Sequence, residues 1–432
     1  MLQKLIRILS FIVAMLYTNL VMAQQENRPV LVAGFPVNYS EDSVGHYTLP
    51  DLLTCNDGMK VTTAKTWTQK RRPELLSLFE EIEYGKMPSR PQDLSFSEFD
   101  KGTPAFNGKA IRKQVTIYFT KDTSNYKMNM LVYLPAHIQT PAPLLLNISF
   151  SAYCQVVDDP GLWIGNIWSR EGKKIRADQP GRFGKMNVEQ FIDAGIGFAT
   201  VYYGDIEPDF KRGIQYGIRG KYLNPGQTEP ANDEWGAISA WAWGLSRAMD
   251  YFETNPKIDN KRIALQGASR LGKTVLWAGV HDQRFKMVIA SISGEGGAAI
   301  ARRNYGETIA HITDTSRYYY QFAPNYHSYS NRANNLPFDA HMLVALMAPR
   351  PLLLQTGNKD YWSDPKGEFL SAIAAEPVYQ LFGEKGPGTT LMPAPNDTSL
   401  LMNHLGYFMH EGGHTVLPED WTHFITYMKK YL

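Results

Sequence analysis

The chain has 432 residues, a net charge of +2, 44% hydrophobic and 12% aromatic content, a balance with neither the basic footprint of a nucleic-acid binder nor the polar composition of a disordered chain. With only two cysteines, Cys55 and Cys154, the fold does not depend on a disulfide framework, and sequence leaves open whether the two pair. With two cysteines in all, no cysteine cluster occurs, and no metal or other cofactor is expected.

At the start, Lys4 and Arg7 precede an apolar run over residues 8–22 that ends in Val21-Met22-Ala23. This reads as a cleavable secretory signal peptide over residues 1–23, its core short of a comfortable membrane span. Export to the periplasm or beyond is expected, with no membrane-spanning segment in the remainder. Residues 24–104 read as an N-terminal extension, with a helix over residues 66–84 that carries Trp67, Leu75, Leu76, Phe79 and Ile82. The main domain is expected over residues 105–432. Apolar runs at 128–134, 144–150, 196–203, 263–266, 287–292 and 351–355 are separated there by helical stretches, which predicts a mainly parallel sheet with helices on both faces. Ile238, Trp241, Ala242, Leu245, Met249 and Phe252 recur at helical spacing and predict an amphipathic helix that stops before Pro256. Long loops at 151–182 and 383–405 read as the walls of a cleft.

The most informative segment is the strand Arg262-Ile263-Ala264-Leu265-Gln266 running into Gly267-Ala268-Ser269-Arg270-Leu271-Gly272-Lys273 and then a helix. A sharp strand-to-helix turn exposes a serine hydroxyl and aims the next backbone N–H at the carbonyl it attacks, as in the nucleophile elbow of an α/β-hydrolase fold. The spacing is G-x-S-x-x-G rather than G-x-S-x-G. Arg270 and Lys273 stand in the first helical turn, where the macrodipole disfavours cations by roughly 0.3–1 kcal/mol each, and Lys273 shares the face of Ser269. Their expected use is on an anionic or oxygen-rich acyl group, with Arg270 reinforcing an oxyanion hole.

In this fold the acid and then the histidine follow the serine in chain order. His414, in Glu411-Gly412-Gly413-His414-Thr415 just before a closing helix at 418–432, is the expected base. His410 falls on an alternating run through Tyr407, Phe408 and Met409 and suits a structural role, and His404 and His423 are less well placed. Asp360, at the end of Arg350-Pro351-Leu352-Leu353-Leu354-Gln355-Thr356-Gly357-Asn358-Lys359-Asp360, is the expected acid. Its competitors are Asp364, better read as the N-cap of a helix at 365–382, and Glu295 in a glycine-rich loop.

Beyond the elbow, the chain carries Leu49-Pro50-Asp51 to Asp57-Gly58, Arg71-Arg72-Pro73-Glu74-Leu75, Tyr84-Gly85-Lys86-Met87-Pro88, Tyr202-Tyr203-Gly204-Asp205-Ile206, Asp233-Glu234-Trp235-Gly236-Ala237, Arg302-Arg303 with Tyr305-Gly306-Glu307, and Trp362-Ser363-Asp364-Pro365. With these landmarks it resembles the glucuronoyl esterases, carbohydrate esterase family 15, in their bacterial branch. The resemblance implies hydrolysis of the ester between 4-O-methyl-glucuronic acid of glucuronoxylan and lignin alcohols. It implies Ser269 as nucleophile, Arg270 as oxyanion stabiliser, His414 as base, and Lys273, Glu307 and Trp362 as contacts to the sugar. Many members have a glutamate 23 residues after the serine, where this chain has Ile292, so Asp360 is expected to supply the acid. The fungal disulfide positions are Ala268 and Thr415 here, and the loop at 149–159 departs from the usual Asn-His-bearing one. A xylan or lignin-carbohydrate ester is the expected partner of a monomer. The rival readings are another carbohydrate esterase, such as one acting on acetyl xylan, and a non-catalytic carbohydrate binder.

Overall fold

The computed structural model describes residues 31–169 and 171–432; the expected signal peptide lies outside the described residues. Strands β1 (Ser95–Ala105), β2 (Ala110–Tyr118), β3 (Lys127–Pro135), β4 (Ala142–Ser149), β5 (Gly197–Tyr202), β6 (Ile258–Ala268), β7 (Met287–Ser291), β8 (Leu352–Gly357) and β9 (Leu405–His410) form one nine-stranded sheet in the order β1-β2-β3-β5-β4-β6-β7-β8-β9. β4 to β9 are mutually parallel, and β3, β2 and β1 continue the sheet through antiparallel pairings.

The parallel strands are apolar on both faces because both are covered. Leu144, Leu146, Leu352 and Leu354 point into one core and Leu145 and Leu353 into the other, the period-two alternation of a strand. The first core is closed by helices α1 (Arg72–Ile82), α2 (Ala237–Phe252), α3 (Arg270–His281) and α4 (Pro365–Leu381), which contribute Phe79, Trp241, Trp277 and Phe369. The second is closed by α5 (Pro418–Tyr431) with Phe424 and Tyr427, and by Phe191 and Tyr153.

β1 and β2 are absent from the apolar runs that predict strands, because β1 alternates half-buried with charged or exposed side chains as a blunted edge strand does. β1 also spans the expected junction at residue 104, so the sheet begins within the segment read as an extension. The helix expected over 66–84 runs from Ala64 to Ile82 with a π-helical turn at Trp67–Arg71. That wide turn lies just before Pro73, whose ring and missing N–H break ordinary helical bonding to the preceding turn. The segment packs on α3: Tyr84 stacks on Trp277 at 4.5 Å, and Arg72 donates to the Val280 carbonyl at 2.6 Å. The loop expected at 151–182 contains a small hairpin, Asn166–Trp168 with Lys174–Arg176. Cys55 and Cys154 are both free thiols.

Candidate active site

Ser269 sits between β6 and α3 with φ 60° and ψ −130°, a conformation that costs about 1–3 kcal/mol and persists only where its surroundings hold it. Its N–H donates to the Ser291 carbonyl at 2.9 Å, and its own carbonyl accepts from Gly272 and Lys273 at 2.8 and 3.1 Å. A β-carbon on Gly267 would lie 2.3 Å from the Leu271 carbonyl oxygen, and one on Gly272 would lie 2.6 Å from that of Ser291. The G-x-S-x-x-G spacing thus follows from packing, since its second glycine is where β7 passes the helix. The turn also leaves the Arg270 N–H among the first-turn donors that have no intrahelical acceptor, at the positive end of the dipole.

The histidine arrives from the loop after β9. His414 Nε2 is 2.9 Å from Ser269 Oγ, and its Nδ1 is 2.7 Å from Asp360 Oδ2, with Ser363 Oγ at 3.1 Å from the same nitrogen. Asp360 is buried at the end of the β8 turn, while the His414 side chain is 43% exposed. The structure brings these three groups together in the order Ser, Asp, His. The loop seats closely because β8 ends in Gly357, where a β-carbon would meet the Gly413 carbonyl oxygen at 2.5 Å.

His410, on β9, braces that loop from below. Its Nδ1 is 2.8 Å from Asp420 Oδ2 and its Nε2 is 3.3 Å from the carbonyl of Gly413, the residue before His414. Burial opposes charge on this imidazole, but the Asp420 hydrogen bond and charge offset it and hold the group above the ordinary histidine value. Asp420 also accepts the Leu417 N–H at 2.8 Å, capping α5. Since a misplacement near 1 Å can cost about 10²-fold in rate, His410→Gln is expected to lower kcat by roughly 10-fold to 10²-fold with KM nearly unchanged. Steady-state kinetics on a small ester, beside a thermal melt to separate positioning from folding, checks this.

Other candidate residues are elsewhere. Asp364 caps α4 by accepting the Gly367 N–H at 3.0 Å and pairs with Arg303 at 2.8 Å. Glu295 is buried beneath the site, where it accepts from the Tyr326 hydroxyl at 3.3 Å. Burial, reinforced by the charges of Asp339, Glu83 and Glu307, pushes its carboxyl well above the usual range. His404 pairs with Glu384 at 2.6 Å, and His423 packs on the Phe408 ring at 4.4 Å. Ile292 takes φ 44°, unusual for a β-branched residue, with its N–H on the Gln355 carbonyl at 2.6 Å.

The two cations of the elbow each have a carboxylate. Arg270 Nη1 donates to Asp209 Oδ2 at 2.6 Å, and its guanidinium lies 4.4 Å from the Tyr318 ring centroid. Asp209 further accepts from Tyr203, Tyr320 and Gln321 at 3.1, 2.9 and 2.7 Å, so the arginine is held by a fixed hub. Lys273 Nζ is 3.8 Å from Glu307 Oε2. Arg317 approaches the other oxygen of Glu307 at 3.5 Å and lies over the Trp362 ring at 5.3 Å. The Glu307 N–H donates to the Trp362 carbonyl at 2.8 Å. Lys273, Glu307 and Trp362 therefore lie together. Asp209 and Arg317 are additions: Asp209 lies 61 residues from Arg270, and nothing in the local sequence of Arg317 points it at Glu307. Among the described residues Arg317 Nη1 is buried and has no hydrogen-bond partner. Among the described residues no group of three or more His, Cys, Asp or Glu side chains converges as a metal centre requires.

A strained serine on an imidazole, the imidazole on a buried carboxylate, and a free helix-terminal N–H beside them can deprotonate a hydroxyl and stabilise an oxyanion. The fold and this constellation define the class: an α/β-hydrolase of the carboxylic ester hydrolase type. Residues 228–383 match the family model described as glucuronyl esterase, fungi. The solved glucuronoyl esterase from Solibacter usitatus is similar at 45% identity and a TM-score of 0.85, over 90% of this chain and 99% of that one. Carbohydrate esterase MZ0003, from an unknown prokaryotic organism, is 42% identical over 91% of this chain and 92% of its own length. The 4-O-methyl-glucuronoyl methylesterase of Schizophyllum commune is 27% identical over 85% of this chain and 79% of its own. The chain belongs to carbohydrate esterase family 15, the glucuronoyl esterases.

Proposed function

We propose that this enzyme hydrolyses the ester that joins 4-O-methyl-glucuronic acid on glucuronoxylan to an alcohol of lignin, with Ser269 as nucleophile, His414 as base and Asp360 as its orienting acid. The observation that carries the reading is the hydrogen-bonded chain of 2.9 and 2.7 Å from Ser269 through His414 to Asp360, beside the grouped Lys273, Glu307 and Trp362. His414 takes the Ser269 proton as Oγ adds to the uronate C6 carbonyl. The Arg270 N–H and its Asp209-held guanidinium stabilise the oxyanion. His414 then gives the proton to the departing alcohol, and water, deprotonated by the same imidazole, releases the acid from the serine. Trp362 offers an apolar face to the sugar ring, while Lys273 and Glu307 meet its hydroxyls. The names borne by relatives in the family support this substrate class.

The enzyme is read as exported and monomeric, working where plant polymers are. No helix among the described residues is long and apolar enough to cross a membrane. The deciding experiment compares kcat/KM on a methyl ester of 4-O-methyl-glucuronate with that on acetylated xylose. The uronate ester is expected to be preferred by at least about 10²-fold, since only it places the sugar on the acyl side of the bond. Equal rates, or a preference for acetate, overturn the assignment.

A further inference from the structure

A groove lined by both aromatic and buried polar side chains lies away from Ser269. It lies on the outer edge of the sheet, about 690 Å3 in volume, where β1 and β2 meet the loop that follows β4. Phe99 and Trp163 form its apolar wall, 49% and 46% exposed, with their rings edge to face at 6.4 Å. Leaving two large rings half in water costs stability that packing them inside would have gained. Their setting is rigid. The Trp163 N–H donates to Gln114 Oε1 at 2.8 Å, and Gln114 Nε2 donates in turn to Asp100 and to the Gly161 carbonyl at 3.1 and 3.2 Å.

Arg112 completes the floor, bonded to Asp100 at 2.7 Å and to Asp159 at 2.8 Å. Arg112 and Gln114 are both more than nine-tenths buried. Two carboxylates against Arg112 and the exposed Lys101 leave the groove without a surplus of either charge. An aromatic wall above fixed, charge-balanced donors and acceptors matches the apolar C–H face and hydroxyl rim of a neutral pyranose. Two rings are too little surface for a stable protein partner, which needs about 800 Å2 a side.

The groove is separate from the catalytic site. β1 is five strand spacings from β6, about 24 Å at 4.8 Å each. Arg112 pairs with Tyr133, which pairs with Phe198 at the start of β5, whereas Ser269 follows the carboxyl end of β6. We propose that this groove is a second carbohydrate-binding site, for the neutral xylan backbone of the polymer whose uronate ester is cleaved at Ser269. It holds the enzyme on the polymer between turnovers. The polymer's identity rests on the proposed function; the existence of the site does not.

The test is affinity electrophoresis in native gels containing soluble arabinoxylan free of uronate, so that the catalytic pocket has no ligand. Wild-type enzyme is expected to be retarded in proportion to polymer concentration. The double variant Phe99→Ala/Trp163→Ala is expected to bind about tenfold more weakly, a loss of about 1.4 kcal/mol, and Phe99→Ala alone to fall between. All three should turn over a small glucuronate methyl ester within about twofold of one another. Equal retardation of wild type and the double variant, or none of the wild type, overturns the proposal. Retardation by a neutral glucan but not by xylan overturns the assignment of the polymer. Failure to hydrolyse the small ester with retardation intact sinks the proposed function and leaves the groove standing.

Discussion

Ser269→Ala is expected to lower kcat on a glucuronate ester by roughly 10⁴–10⁶-fold, with binding of the free sugar unchanged. The size of the effect follows from how much of the site is built around one oxygen. The elbow spends backbone strain to expose it, and His414 has its Nε2 aimed at it from 2.9 Å. Deleting Oγ removes the covalent route and leaves the oxyanion donors and sugar contacts, which keep a residual acceleration over water. Isothermal titration of the variant with methyl glucuronate, beside single-turnover rates, separates the two quantities. A variant that turns over within tenfold of wild type would overturn the acyl-enzyme route.

The second large effect discriminates between carboxylates. Asp360→Asn should cost roughly 10²–10⁴-fold in kcat, because an amide in place of the carboxylate presents a donor to His414 Nδ1 and favours the wrong tautomer. Glu295→Gln should cost no more than a few-fold. Glu295 is buried, and desolvation pushes its carboxyl well above the usual range, which favours the neutral form whose shape and polarity an amide reproduces. Its hydrogen bond is to Tyr326, whereas Asp360 holds His414 at 2.7 Å. Parallel kcat measurements on the two variants decide the matter: a crippled Glu295→Gln with an active Asp360→Asn reverses the acid assignment.

What could be read ahead of the structure was whatever lies contiguous in the chain. The elbow is legible because strand, glycine, serine and helix are consecutive, and β4 to β8 because strands buried on both faces are plain apolar runs. Asp360 and His414 could be placed because each follows a strand, although the distances of 2.7 and 2.9 Å that join them to one chain of hydrogen bonds needed coordinates. β1 escaped because an edge strand carries charges in place of a hydrophobic signature, and β2 because Arg112, Lys113, Gln114 and Thr116 interrupt its apolar residues. Asp209 escaped because it lies 61 residues from Arg270, and nothing in its neighbourhood distinguishes it from a surface aspartate. The carboxylates that pair with Arg270 and Lys273 escaped for the same reason: they are distant in sequence. The His410 reading as a structural residue agrees with its buried bond to Asp420, but its grip on the Gly413 carbonyl is visible only in three dimensions.

The Arg270–Asp209 pair carries a consequence for how the reaction ends. An ester is neutral at its carboxyl, whereas the acid left after hydrolysis is an anion at the same place. A guanidinium already matched by Asp209 at 2.6 Å offers the transient oxyanion oriented donors, yet presents no uncompensated positive charge to the finished carboxylate, which also meets the nearby aspartate as a like charge. Inhibition by accumulated free uronic acid is therefore expected to be weak, and initial rates measured with added acid check this.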